Sequence, residues 1–220
     1  MEIKGIVFDL DGVIVSTDEY NYRAWKVLAN RLGIYFDREI NNRCRGISRM
    51  DSLNVVLEKA PRVYSLEEKI ALCAEKNEIY LTYLGQMTPK EVSDDTRDTL
   101  LALKKKGLRI AIGSSSKNAH IVLRQIAMET MFDAIADGNE ISHAKPDPEI
   151  FLLAAKKIAL PPKKCLVVED AEAGLIAANR GGFYSIGISA ARHSKAAWAS
   201  IERLFDLLFF VDSFTKNKDS

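Results

Sequence analysis

The sequence predicts an α/β protein: a doubly wound parallel-sheet (Rossmann-like) core with an α-helical cap domain inserted after the first strand. Three observations predict it. Short, unbroken apolar runs such as Ile6-Val7-Phe8, Ile110-Ala111-Ile112 and Leu166-Val167-Val168 read as strands buried on both faces of a parallel sheet. From Pro89 onward such runs alternate with helix-length stretches. Between Thr17 and Gln86, by contrast, every periodic stretch is helical and no strand candidate occurs.

The first strand ends near Asp9. Asp9 and Asp11, two residues apart, project from the same side of extended backbone, and Gly12 permits a turn. From Thr17, positions Ala24, Val27, Leu28 and Leu32 recur at helical spacing until Gly33 stops the pattern. Residues 37–42 are polar and carry no assigned element. Gly46-Ile47-Ser48 reads as a turn into a helix over residues 52–59, ended by Pro61. A further helix covers 66–83, with Ser65 and Glu68 spaced as a capping box. After Pro89 come a helix at 95–106 stopped by Gly107, a strand at 108–113, a helix at 118–127 and a short strand at 132–136. A helix at 149–158, a strand at 165–168 and a helix at 171–180 follow. Strands at 184–188 and 208–211 complete the pattern, with a polar, frayed tail at 215–220. The expected division is a core of residues 1–16 and 88–220 with a cap of residues 17–87.

Composition narrows the function. The 220 residues are 47% hydrophobic, enough for a sizeable core. Basic and acidic residues number 31 and 30, a net charge of +1, so no global field favours nucleic acid or a membrane surface. Lys104-Lys105-Lys106 precedes Gly107 and reads as a solvated helix end. Cys44, Cys73 and Cys165 are odd in number and lack metal-ligand spacing, which fits reduced thiols. There is no signal-peptide layout and no apolar run of bilayer length. The expectation is a cytoplasmic monomer acting on a small molecule.

Strand ends carry the chemistry. Asp9 and Asp11 follow the first strand, Ser114 and Ser115 the second, and Glu169 and Asp170 a later one, while Lys145 lies on a loop between the last two. In a parallel sheet these ends converge on one crevice. Carboxylates gathered there repel unless a cation sits among them, and an all-oxygen set points to Mg²⁺. Lys145, the Ser114 hydroxyl and nearby backbone N–H groups can cradle a phosphoryl group.

Asp9-Leu10-Asp11-Gly12, Gly113-Ser114-Ser115, Lys145-Pro146 and Glu169-Asp170-Ala171-Glu172-Ala173-Gly174 resemble, in order, the four motifs of the haloacid dehalogenase superfamily. The helical insert resembles that family's small cap. A narrower resemblance, to the branch that moves phosphate between two positions of a glucose phosphate, rests on Arg23-Ala24-Trp25-Lys26, Gly46-Ile47-Ser48-Arg49, Lys76-Asn77 and Ser114-Ser115-Ser116-Lys117-Asn118. It implies Mg²⁺-dependent interconversion of β-glucose 1-phosphate and glucose 6-phosphate through a bisphosphate. A sugar-phosphate phosphatase and a catalytically idle binding protein are the alternatives.

The resemblance also implies roles. Asp9 is the nucleophile and Asp11 the general acid/base, with Ser114 and Lys145 holding the phosphoryl group. Mg²⁺ is held by Asp9, Asp170 and the Asp11 main-chain carbonyl, with Glu169 either a ligand or a partner of one. In the cap, Arg49 takes the distal phosphate, because a guanidinium fork suits phosphate, supported by Ser116, Lys117 and Asn118. Trp25, Gly46, Ser52 and Lys76 line the sugar pocket, and Ser115 completes the phosphate loop; for Trp25, ordinary helix packing is the competing reading. Thr17 and Asn21 flank the hinge. Asn21 stands where the mutases of this branch have His, and Ser16 where they have Asp.

Overall fold

Six parallel strands form one sheet in the order β3-β2-β1-β4-β5-β6. In this computed structural model, which describes residues 2–215, they are β1 (Gly5–Phe8), β2 (Arg109–Gly113), β3 (Ala134–Ala136), β4 (Cys165–Glu169), β5 (Tyr184–Gly187) and β6 (Ala199–Ser200). The register sets Val7 beside Ala111 on one side and Val167 on the other. These three face one way and pack against Ile150, Phe151, Ala154, Ala177 and Ala178. Their neighbours Ile6, Phe8, Ile110 and Ile112 alternate to the opposite face and are equally buried. Burial on both faces explains why the strands read as continuous apolar runs.

The helices are α1 (Asp18–Arg31), α2 (Arg38–Asn42), α3 (Arg49–Leu57), α4 (Leu66–Leu84), α5 (Asp94–Lys105), α6 (Ala119–Gln125), α7 (Glu149–Lys157), α8 (Glu172–Arg180) and α9 (Asp206–Thr215). The chain divides into two compact units, Met1–Ser16 with Thr88–Ser220 and Thr17–Met87. The first holds the whole sheet. The second is helical, with its own core of Trp25, Leu28, Phe36, Leu53 and Val56. Local signals start its helices: Ser65 and Glu68 close a capping box on α4, and the Ser48 side chain accepts from the Asp51 N–H at the head of α3.

Three sequence expectations are corrected. Residues 208–211 are helical rather than a strand: in and before α9, Leu204, Leu207 and Val211 are buried at helical spacing while Phe209 is 66% exposed. A short apolar run alone does not separate a strand from a buried helix. The last strand is instead β6, two residues long, too short to leave a periodic signal. Residues 38–42 form α2, started by the Asp37 carboxylate accepting from the Ile40 N–H at 2.9 Å, and Ser48 starts α3 three residues earlier than expected. Of the tail, residues 216–220 lie outside the described residues. No helix among those described is long and apolar enough to cross a membrane.

Candidate active site

The strand order reverses direction between β1 and β4, and in such sheets ligands bind beyond the carboxyl ends of the strands at that point. Asp9 follows β1 there, and β4 ends in Glu169 with Asp170 next. Carboxylate oxygens of Asp9, Glu169 and Asp170 all lie within 4.8 Å of one another. Lys145, on the long loop between β3 and α7, donates to Asp9 Oδ1 at 2.5 Å and to Glu169 Oε2 at 2.8 Å. Its ammonium also sits 4.6 Å from the centre of the Phe151 ring.

Lys145 is 5% exposed and Glu169 1%. Burial alone disfavours the Lys145 ammonium, but the charges and hydrogen bonds of Asp9 and Glu169 outweigh it and hold its pKa above the ordinary lysine value. Burial, then the neighbouring Asp9 charge, push Glu169 above the usual carboxylate range, with Lys145 pulling against them. Glu169 is committed at both oxygens: Oε1 accepts from the Ala171 N–H at 3.1 Å and Oε2 from Lys145. Three carboxylates thus cluster together, two of them bonded to one ammonium. Hard oxygen donors carrying excess negative charge fit Mg²⁺.

Two glycines make the cluster possible. Gly12 adopts φ +83°, and a Cβ there would overlap the Asp170 carboxylate. A Cβ on Gly174 would overlap the Glu169 side chain. The Asp11 side chain is not in the cluster; its backbone bridges to Val15. Ser114 follows β2 and is buried; its Oγ accepts from the Ser116 N–H at 3.2 Å. Ser116 Oγ likewise accepts from the Asn118 N–H. Lys117 is exposed. Ser115 Oγ is buried without a hydrogen-bond partner, a costly state unless a ligand meets it.

The remaining candidates lie in the helical unit. Lys76, 3% exposed, donates to Asn21 Oδ1 at 2.6 Å and lies over the rings of Trp25 and Tyr80, 4.8 and 4.3 Å from their centres. Asn21 Nδ2 donates to Thr17 Oγ1 at 3.1 Å and to the Tyr80 hydroxyl at 3.3 Å. Sequence reading missed Tyr80; its i+4 spacing from Lys76 on α4 was the available signal. Gly46 turns the chain with φ +72°. Ser52 donates to the Ser48 carbonyl at 3.0 Å, an internal commitment that holds α3 to its own first turn. Arg49 is half-buried, and its pKa is lowered by that burial.

This sheet order, with an acidic cluster and a buried lysine at the strand ends, defines a class of phosphoryl-transfer enzyme. Residues 3–182 match the family described as haloacid dehalogenase-like hydrolase, and the chain belongs to it. The beta-phosphoglucomutase of Bacillus subtilis (strain 168) is 37% identical over 207 residues, 93% of this chain and 92% of that protein. A crystal structure of beta-phosphoglucomutase from Clostridium difficile superposes with a TM-score of 0.90 at 34% identity, covering 99% of this chain and 100% of that one. The phosphorylated carbohydrates phosphatase of Thermotoga maritima is 27% identical over 187 residues, 84% of each chain. Resemblance to the mutase branch therefore holds across nearly the whole chain, among relatives that include phosphatases.

Proposed function

We propose that the chain is a magnesium-dependent phosphomutase that interconverts β-D-glucose 1-phosphate and β-D-glucose 6-phosphate through an aspartyl-phosphate and a glucose 1,6-bisphosphate. The observation that carries this reading is Arg49. Its guanidinium is partly desolvated and has no carboxylate partner among the described residues. Burying a cation without a counter-charge is unfavourable, so the site is built for an anion that arrives with substrate. A phosphatase needs to hold only the phosphate it removes. A mutase must also grip the far phosphate of a bisphosphate while the near one reacts.

In this mechanism an Asp9 oxygen attacks phosphorus and displaces the sugar oxygen, splitting one hard transfer into two. Asp11 gives its proton to that leaving oxygen and later takes one from the second sugar hydroxyl. Lys145 offsets the charge of the phosphoryl oxygens, and the Ser114 and Ser115 hydroxyls supply hydrogen bonds. Asp9, Asp170 and the Asp11 carbonyl are the groups that would hold Mg²⁺, which stabilises phosphoryl charge in the transition state when bound. Glu169, tied to Ala171 and Lys145, positions the lysine.

A sugar-phosphate phosphatase uses the same core residues, and Asn21 favours that second reading. The family's mutases carry a titratable His there, and Asn hydrogen-bonds without titrating. Supplying β-glucose 1-phosphate with Mg²⁺ and a trace of glucose 1,6-bisphosphate tests the choice. Glucose 6-phosphate without free phosphate is expected; free phosphate would mean a phosphatase, and neither product an idle binding protein. Chelating the metal should stop turnover and Mg²⁺ should restore it.

Arg49→Ala should lower mutase turnover about 10- to 100-fold, the worth of a charge-assisted bidentate contact. Hydrolysis of p-nitrophenyl phosphate, which has no second phosphate, should be nearly unchanged. Equal losses on the two substrates would remove Arg49 from this role.

A further inference from the structure

Glycine within a helix is less stable than alanine, yet Gly174 occupies the first turn of α8. Its backbone does not require glycine, because its φ is not among the positive values. Space does. A Cβ at this position would overlap Cγ, Cδ and Oε2 of Glu169. That side chain cannot swing away, since it is 1% exposed and held at both oxygens, by the Ala171 N–H and by the Lys145 ammonium.

We propose that Gly174 is a positioning residue for phosphoryl transfer: its bare Cα is the seat on which the Glu169 carboxylate rests, and through Glu169 it sets where Lys145 stands against Asp9. The four residues form one buried chain, Gly174 under Glu169, Glu169 to Lys145, Lys145 to Asp9. A methyl group at the bottom displaces the carboxylate and releases one of the two anchors of the ammonium. The sequence therefore breaks helix propensity where a charged side chain needs the room, as expected where function overrides a local rule. The inference rests on the transfer roles proposed for Asp9 and Lys145, and it holds for a mutase and a phosphatase alike.

A double-mutant cycle tests it, read by thermal midpoint and by turnover of β-glucose 1-phosphate to any product. Gly174→Ala alone should lower the midpoint and cut kcat about a hundredfold with KM little changed, the cost of a misplaced catalytic group. In a Glu169→Ala background the same change should cost nothing further and should raise the midpoint, because only the helix preference for alanine remains. In a Glu169→Gln background, where shape is kept and charge is lost, the full thermal cost should return. Glu169→Ser serves as the truncation if Glu169→Ala does not fold. A Gly174→Ala protein as stable and active as the parent would overturn the proposal, and so would an equal penalty in the truncated background. The thermal cycle reads the seat whether or not the parent converts a sugar phosphate, so failure of the functional reading and failure of this inference are told apart.

Discussion

Asp9→Asn leaves a folded protein whose turnover falls by on the order of 10⁴-fold or more, the scale of losing a nucleophile. The two halves of that expectation have separate causes. Asn is close to isosteric with Asp, and its Oδ1 can still accept from Lys145, so the 6%-exposed site keeps its packing. One of three carboxylates crowded within 4.8 Å becomes neutral, which relieves repulsion when no cation is added. The thermal midpoint in metal-free buffer should therefore equal or exceed that of the parent. An amide oxygen, however, cannot form the acyl phosphate. Incubation with glucose 1,6-bisphosphate and mass analysis of the peptide carrying position 9 should find a phosphoryl adduct in the parent and none in the variant. Turnover above about a hundredth of the parent's would place the nucleophile on another carboxylate of the cluster.

What the sequence disclosed follows from how local each signal is. Strands buried on both faces carry an unmistakable apolar run, and the acids at their ends stand next to that run in the chain; Asp9, Ser114 and Glu169 were legible for this reason. Lys145 and Asp9 are 136 residues apart and meet only through the sheet order, so pairing them depended on knowing that parallel strand ends converge. Glu169 stayed ambiguous between ligand and partner because its two oxygens are occupied by Ala171 and Lys145, contacts no spacing reveals. The bond from the Ser52 hydroxyl to the Ser48 carbonyl was not legible, since a hydroxyl's partner depends on where a backbone carbonyl four residues away is held. The apolar run of α9 misled because one short stretch of Leu and Phe suits either period, whereas its burial pattern suits only a helix.

The second large effect falls on Lys145. Lys145→Ala should destabilise the protein by about 3–5 kcal/mol, the scale for breaking a buried ion pair and leaving the partner charges uncompensated. It should also slow turnover about 10²- to 10³-fold by removing a donor aimed at the reacting phosphate. The ammonium contacts two buried carboxylates and an aromatic face at once, so truncation removes packing as well as charge. Lys145→Met separates these. Its stem can still lie along Phe151, and any loss it shares with Lys145→Ala is electrostatic. We expect most of the loss to be shared, because Asp9 and Glu169 then face each other with Asp170 beside them and no cation between. Added Mg²⁺ should return part of the thermal midpoint in both variants, through binding to the folded state alone, while kcat stays low because the metal cannot stand where the ammonium donated. A Lys145→Met protein with the stability and turnover of the parent would mean that the buried lysine neither balances the acids nor touches the phosphate, and the transfer mechanism would have to be rebuilt without it.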